Sequence, residues 1–154
     1  MNFVDIGCGE GFFALTAAKI VGKKGKVYGV DLDAEAIGVL KKTAVKLELT
    51  NLILKTGRAE DTIFCKSCAD LIFFGIDLHD FEDPDKVLIN AKKMLKPSGR
   101  LVDLDWKKEP MDRGPPLKIK FSEEDAARRI MKAGFKIETR NDSGPYHYLI
   151  IASL

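Results

Sequence analysis

Apolar residues recur along the chain in two alternating rhythms, short continuous runs and three- to four-residue steps, the pattern of parallel βα units covered on both faces. Phe3–Ile6 predicts a first strand, and Phe13, Ala17, Ile20 and Val21 space a helix that starts after Gly11 and stops at Gly22. Lys26–Val30 predicts the second strand. Asp33 then caps a helix carrying Ile37, Leu40, Ala44 and Leu47, and Leu52–Thr56 reads as the third strand. Asp70–Phe74 is continuously apolar once begun, as in a strand buried on both faces, and a loop with Asp77, His79 and Asp80 follows it. Asp83 and Pro84 open a helix burying Val87, Leu88, Ala91, Met94 and Leu95, closed by Lys96–Gly99. Leu101–Trp106 predicts the fifth strand and Lys107–Pro116 a loop. Ser122 with Asp125 caps a last helix ending at Gly134, and Phe135–Thr139 with Tyr146–Ala152 form a hairpin through an Asn-Asp-Ser-Gly-Pro turn. The expected architecture is a three-layer α/β/α sandwich in one domain, 1–154.

The first strand-to-helix junction, VDIGCGEGFFAL from Val4 to Leu15, carries Gly7, Gly9 and Gly11 at alternate positions. Glycines there let the main chain take angles closed to other residues and let a bulky ligand approach without Cβ clashes, which predicts a nucleoside-cofactor pocket. A dinucleotide fingerprint would read GxGxxG over a pyrophosphate. Here Phe12 fills the last glycine position, and the Glu10 carboxylate would repel a pyrophosphate but tolerate the sulfonium and ammonium of S-adenosylmethionine.

Composition narrows the partners. The chain is 45% hydrophobic and 31% charged, ordinary for one globular domain, and its net charge of +2 with scattered lysines argues against nucleic acid. No apolar run reaches the roughly 20 residues needed to span a bilayer and the N-terminus lacks a signal-peptide pattern, so no membrane partner and a cytoplasmic location are expected. Cys8 fits the glycine turn as a small side chain. Cys65 and Cys68 form a CxxC without two further ligands at zinc spacing, so structural cysteines and no metal site are expected.

These motifs, in this order, resemble the class I S-adenosylmethionine-dependent methyltransferases, and more narrowly the small-molecule (type 11) branch containing the ubiquinone/menaquinone-biosynthesis enzymes. VDIGCGEG resembles the family's first motif, VYGVDLD the acidic end of its second strand, ADLIFFGIDLHDFEDP its fourth strand and following loop, and LKPSGRLVDLDW its fifth strand. The closing helix, AGFKIETR and GPYHYLIIAS resemble its terminal hairpin. The resemblance implies a Rossmann-like, mostly parallel seven-stranded sheet in the order 3-2-1-4-5-7-6, the last strand antiparallel, and S-adenosyl-L-methionine as cofactor.

It also implies site residues. Asp5 and the Gly7, Cys8, Gly9, Gly11 turn would face the methionine moiety, with Asp5 or ordered water taking its ammonium, Asp31 would face the ribose hydroxyls, Leu32 the adenine, and Phe74 the cofactor from the end of the fourth strand. Asp31 stands 22 positions after Gly9 at a strand end, where a carboxylate can accept from both ribose hydroxyls. Arg58 occupies a slot where the family often has an acid for the adenine amino group, so Glu60 or the Ala59 main chain takes that contact, unless Arg58 and Glu60 are simply an exposed ion pair. Relatives usually carry a helical segment before the first strand, which begins here almost at Met1. The expectation is an open cofactor site lacking the usual N-terminal lid and covered by a homodimer partner, by the Lys107–Lys120 loop, or by upstream residues.

Methyl transfer needs alignment and, where required, proton removal. His79 is the expected base, with Asp77, Asp80 and Asp105 as orienters and Trp106 as a wall, acting on a small-molecule acceptor by O- or C-methylation. The alternatives are a non-catalytic cofactor- or partner-binding module and an NAD-dependent oxidoreductase.

Overall fold

In the computed structural model, which describes residues 1–154, the chain runs β1 (Asn2–Ile6), α1 (Phe12–Val21), β2 (Lys26–Asp31), α2 (Ala34–Lys46), β3 (Leu52–Thr56), β4 (Ala69–Gly75), α3 (Pro84–Met94), β5 (Leu95–Trp106), α4 (Glu123–Lys132), β6 (Lys136–Ser143) and β7 (His147–Ser153). One seven-stranded sheet has the order β3-β2-β1-β4-β5-β7-β6. β1 to β5 are mutually parallel, and β7 runs antiparallel to both β5 and β6. This is the order, with the final reversal, that the family resemblance implies.

Alternation along the strands sorts side chains into two cores. Val4, Ile6, Ile72, Phe74, Leu101 and Ile150 join Leu88, Met94 and Ile130 of α3 and α4 on one face. Phe3, Val27 and Phe73 join Ala14, Ala18, Ile37 and Leu40 of α1 and α2 on the other. The predicted caps fix the helix starts. Asp33 accepts from the Glu35 and Ala36 amides at 2.8 and 3.1 Å, Asp83 from Lys86 at 2.9 Å ahead of Pro84, and Ser122 from Asp125 at 3.1 Å. No helix is long and apolar enough to cross a membrane.

Three details differ from the sequence reading. In α1 the buried stripe is Ala14, Ala17 and Ala18, while Ile20 is 77% exposed, because small residues allow the helix to lie close on the sheet. β5 starts at Leu95 rather than Leu101. Leu95 already pairs with Ala69, and the register then slips to Leu71 opposite Arg100, so the Pro97–Gly99 segment is absorbed as an irregularity inside an edge of pairing. β6 continues to Ser143, since Asn141 and Asp142 pair with Leu149 and Tyr148, leaving a shorter turn at Gly144 with φ +71°. Cys65 and Cys68 are joined as a disulfide in the loop before β4.

Candidate functional site

The glycine turn leaves β1 at the carboxyl edge of the sheet. Gly7, Gly9 and Gly11 all have positive φ, +76°, +49° and +92°. The Gly7 and Cys8 amides donate to the Val30 carbonyl at 2.9 and 3.0 Å, tying the turn to β2. Asp31, at the end of β2, accepts from the Gly9 amide at 2.7 Å and from the Asp33 amide at 2.9 Å. Both oxygens are thereby fixed, and each retains a lone pair for a further donor.

Beside this turn lies a cavity of about 290 Å³. Of the residues the sequence nominates, it brings together Gly7, Asp31, Leu32, Arg58, Ala59, Glu60, Asp77 and Asp80, and it adds Glu82 from the loop after β4. Five carboxylates thus face one guanidinium across the cavity walls. Such a lining focuses negative potential on whatever enters.

The other nominated residues do not line it. Asp5 points to the α1 side beneath the turn, 1% exposed with Oδ2 lacking a partner. Burial pushes its carboxyl up to about 7, opposed by the Ala14 amide and reinforced by the Asp31 charge. The Cys8 side chain faces the hollow over Gly29 within the α1/α2 core, where burial raises its thiol. Gly9 meets open space where a Cβ would stand, while a Cβ at Gly11 would overlap Leu40. Phe74 is fully buried in the α3/α4 core, because the strand's two-residue alternation turns it away from the carboxyl edge.

Arg58 does not form the simple exposed pair with Glu60. Its Nη2 lies 2.7 Å from Glu82 and 3.7 Å from Glu60, and Nε lies 3.6 Å from Asp61. Glu60 is buried and accepts from the Asp83 amide at 3.3 Å, and Asn90 donates to the Glu60 carbonyl at 2.7 Å. The short 3₁₀ turn at Ala59–Asp61 is therefore held against the start of α3, and Arg58 bridges the loops on either side of the cavity.

Asp77 is the residue whose position sequence reasoning underrated. Both carboxylate oxygens are buried without a hydrogen-bond partner, and a Cβ on Gly7 would overlap them, so only glycine there leaves room for this side chain. Burial holds the Asp77 carboxyl well above the usual range, with the charges of Asp5, Asp103, Asp105 and Asp31 adding to it. Asp103, fully buried on β5, is raised for the same reasons, by burial and then by Asp105.

His79 and Asp105 form a close pair, as the sequence suggests. His79 Nδ1 lies 2.8 Å from each Asp105 oxygen, and Nε2 lies 3.3 Å from Asp80 Oδ1. The imidazole is 2% exposed and Asp105 is 1% exposed, whereas Asp80 is 60% exposed and lines the cavity. Burial pulls the His79 pKa down, but the Asp105 hydrogen bond and charge, with Asp80 behind them, more than offset this and leave it raised above 6.5. The two flanking carboxylates thus favour the imidazolium form. The Trp106 ring lies 4.3 Å from the His147 ring at the end of the same strand.

A carboxyl-edge cavity beside a GxGxG turn, on a 3-2-1-4-5-7-6 sheet with a reversed last strand, defines the Rossmann-like fold of class I S-adenosylmethionine-dependent methyltransferases. The chain belongs to the methyltransferase-domain family, whose model matches residues 1–136. It is 35% identical over 102 residues to the "probable cobalt-precorrin-6B C(15)-methyltransferase (decarboxylating)" of Sulfurisphaera tokodaii, covering 66% of this chain and 51% of that protein. To the demethylmenaquinone methyltransferase of Oceanobacillus iheyensis it is 28% identical over 102 residues, 66% of this chain and 43% of the other. The chain thus spans about half the length of the curated relatives it matches. Among solved structures, a SAM-dependent methyltransferase from Aquifex aeolicus superposes with a TM-score of 0.93 at 31% identity, covering 99% of this chain and 81% of that one.

Proposed function

We propose that this protein is an S-adenosylmethionine-dependent methyltransferase acting on a small-molecule acceptor. The observation that carries the reading is the acid-walled cavity beside the glycine turn, with Asp77 presenting two buried, unpartnered oxygens at its wall. Cations suit such a wall and pyrophosphates do not. Relatives named for methylating cobalt-precorrin-6B and demethylmenaquinone support a small-molecule acceptor.

In this reading Asp77 accepts hydrogen bonds from the cofactor's ammonium, and Asp31, held by two main-chain amides, accepts from the ribose hydroxyls. Exposed Leu32 lies flat against the adenine, and the Ala59 main chain with Glu60 reads its edge. The bound sulfonium supplies an already activated methyl carbon. The protein's task is then alignment for in-line displacement and removal of the acceptor's proton. Asp80, exposed at the cavity rim, takes that proton, and His79 acts through it as a positioning group, itself fixed by Asp105. This moves the base role that the sequence assigns to His79 one residue along, because both imidazole nitrogens are engaged and the ring is buried.

Thermal-shift and calorimetric comparison of S-adenosylmethionine, S-adenosylhomocysteine and NAD tests the cofactor assignment. Stabilisation by both adenosyl compounds and none by NAD is expected, and stabilisation by NAD alone refutes it. A second reading, a binding module without turnover, draws on the burial of His79. Appearance of S-adenosylhomocysteine in incubations with candidate acceptors separates the two.

A further inference from the structure

A second cavity, about 450 Å³, lies between α4, the start of α3 and the loop after β5. Its charge is the reverse of the first: six basic side chains line it against two carboxylates, Asp85 and Asp125. Those two are already engaged. Asp85 holds Arg129 at 2.6 Å and Lys132 at 2.7 Å, and Asp125 holds Arg128 at 3.0 Å. Lys108, Lys118 and Lys120 have no ion-pair partner, so an uncompensated positive field converges on the cavity.

Lys120 makes the site more than a solvated patch. It is 2% exposed, yet its ammonium has only the Glu109 carbonyl at 3.4 Å and the face of the Trp106 ring at 5.6 Å from its centroid. A buried ammonium with one long neutral acceptor and a ring face is under-compensated, and an anion is the partner that would complete it. Arg128 and Arg129 line the same cavity and carry planar donor forks, the geometry that matches carboxylate and phosphate oxygens.

The two cavities are lined by neighbouring stretches of one segment, the loop after β4 and the start of α3. Asp80 and Glu82 line the acidic one, and Asp85, a few residues on at the start of α3, lines the basic one. Lys120 stands over Trp106, the neighbour of the Asp105 that orients His79. We infer that the basic cavity binds the anionic portion of the methyl acceptor, a small molecule bearing two or more carboxylate or phosphate groups, whose uncharged part then reaches Asp80. The assignment of this anion to the acceptor rests on the methyltransferase reading, but the anion site itself does not. Opposite fields in the two cavities would sort a cationic donor from an anionic acceptor before either is aligned.

Trp106 is the sole tryptophan, so its fluorescence reports on Lys120 directly. The test titrates the full chain with tricarballylate and, separately, with pyrophosphate at constant ionic strength. A saturable fluorescence change is expected with at least one of them. Lys118→Glu combined with Arg128→Glu, both exposed positions, is expected to weaken it by about tenfold or more, the loss that goes with removing charge-assisted hydrogen bonds. S-adenosylhomocysteine affinity, measured by calorimetry on the same two proteins, is expected to stay unchanged. No saturable response in the native protein, or a response undiminished in the double variant, overturns the site. Tighter binding of a short single-stranded DNA than of either probe overturns its assignment to a small molecule. Failure of S-adenosylhomocysteine to bind, with the anion response intact, removes the acceptor role and the methyltransferase reading together while leaving the anion site standing.

Discussion

Asp77→Asn isolates the charge at the cavity wall from its shape. In the free protein, burial and four neighbouring carboxylates hold the Asp77 carboxyl well above its ordinary 3.8, which favours the neutral form, and the isosteric amide keeps that shape without the titrating proton. Both oxygens lack partners, so no hydrogen bond is lost and stability should move by less than about 1 kcal/mol. Binding an ammonium requires the ionised carboxylate, and a hydrogen bond to a charged group is worth about 1.5–3 kcal/mol, which corresponds to a roughly 10- to 150-fold weaker complex in the variant. The same logic fixes a pH dependence. Because the Asp77 carboxyl is raised in the free protein and an ammonium favours its ionised form, binding should release protons and wild-type affinity should rise with pH across the range in which the free carboxyl titrates. The variant should show no such rise. Calorimetry in buffers of different ionisation enthalpy reads both affinity and proton release. An Asp77→Asn protein that binds S-adenosylhomocysteine within twofold of wild type, releasing the same protons, refutes the assignment.

Asp5 gives a stability counterpart. With its carboxyl at about 7 in the folded state against 3.8 unfolded, the folded protein binds more protons between those values, so stability falls as pH rises through that window. Asp5→Asn should therefore match wild type below about pH 4 and exceed it at pH 8 by up to about 4 kcal/mol in urea unfolding. His79 is also raised in the folded state, so its contribution is full below about pH 6.5 and is lost as pH climbs through the folded value. His79→Ala leaves Asp105 buried with only the Trp106 amide, costing about 3–5 kcal/mol near pH 6 and less at higher pH, and it should cut turnover while sparing S-adenosylhomocysteine affinity. Gly7→Ala forces a Cβ into φ +76° and against the Asp77 carboxylate, whereas Gly9→Ala meets open space. Thermal melting should fall in both from left-handed strain of about 1–2 kcal/mol, and distinctly further in Gly7→Ala.

What was legible in the sequence was whatever local chemistry encodes. Asp33, Asp83 and Ser122 announce helix starts because a side-chain oxygen needs only amides two or three residues on. The strand order followed from the resemblance, and Asp31 from its place at a strand end. The direction of a side chain at the carboxyl edge was less accessible. Phe74 is read as a cofactor contact when strands are treated as one apolar run, but its two-residue phase with Ile72 sends it into the α3/α4 core. The Arg58–Glu82 pair joins residues 24 apart, and nothing in either segment specifies the other. The basic cavity was hidden for a related reason. Lysines that look dispersed in sequence, such as Lys108 and Lys132, converge only when α4 packs beside the start of α3.

The Arg58–Glu82 bridge has a mechanical corollary. Glu82 is 77% exposed and Arg58 42%, so this crossing ion pair contributes little and weakens as salt rises. The floor, by contrast, is stitched by main-chain amides to Val30 and Asp31. The cavity is therefore closed above by a salt-sensitive clasp of two side chains and founded below on main-chain bonds that salt leaves untouched.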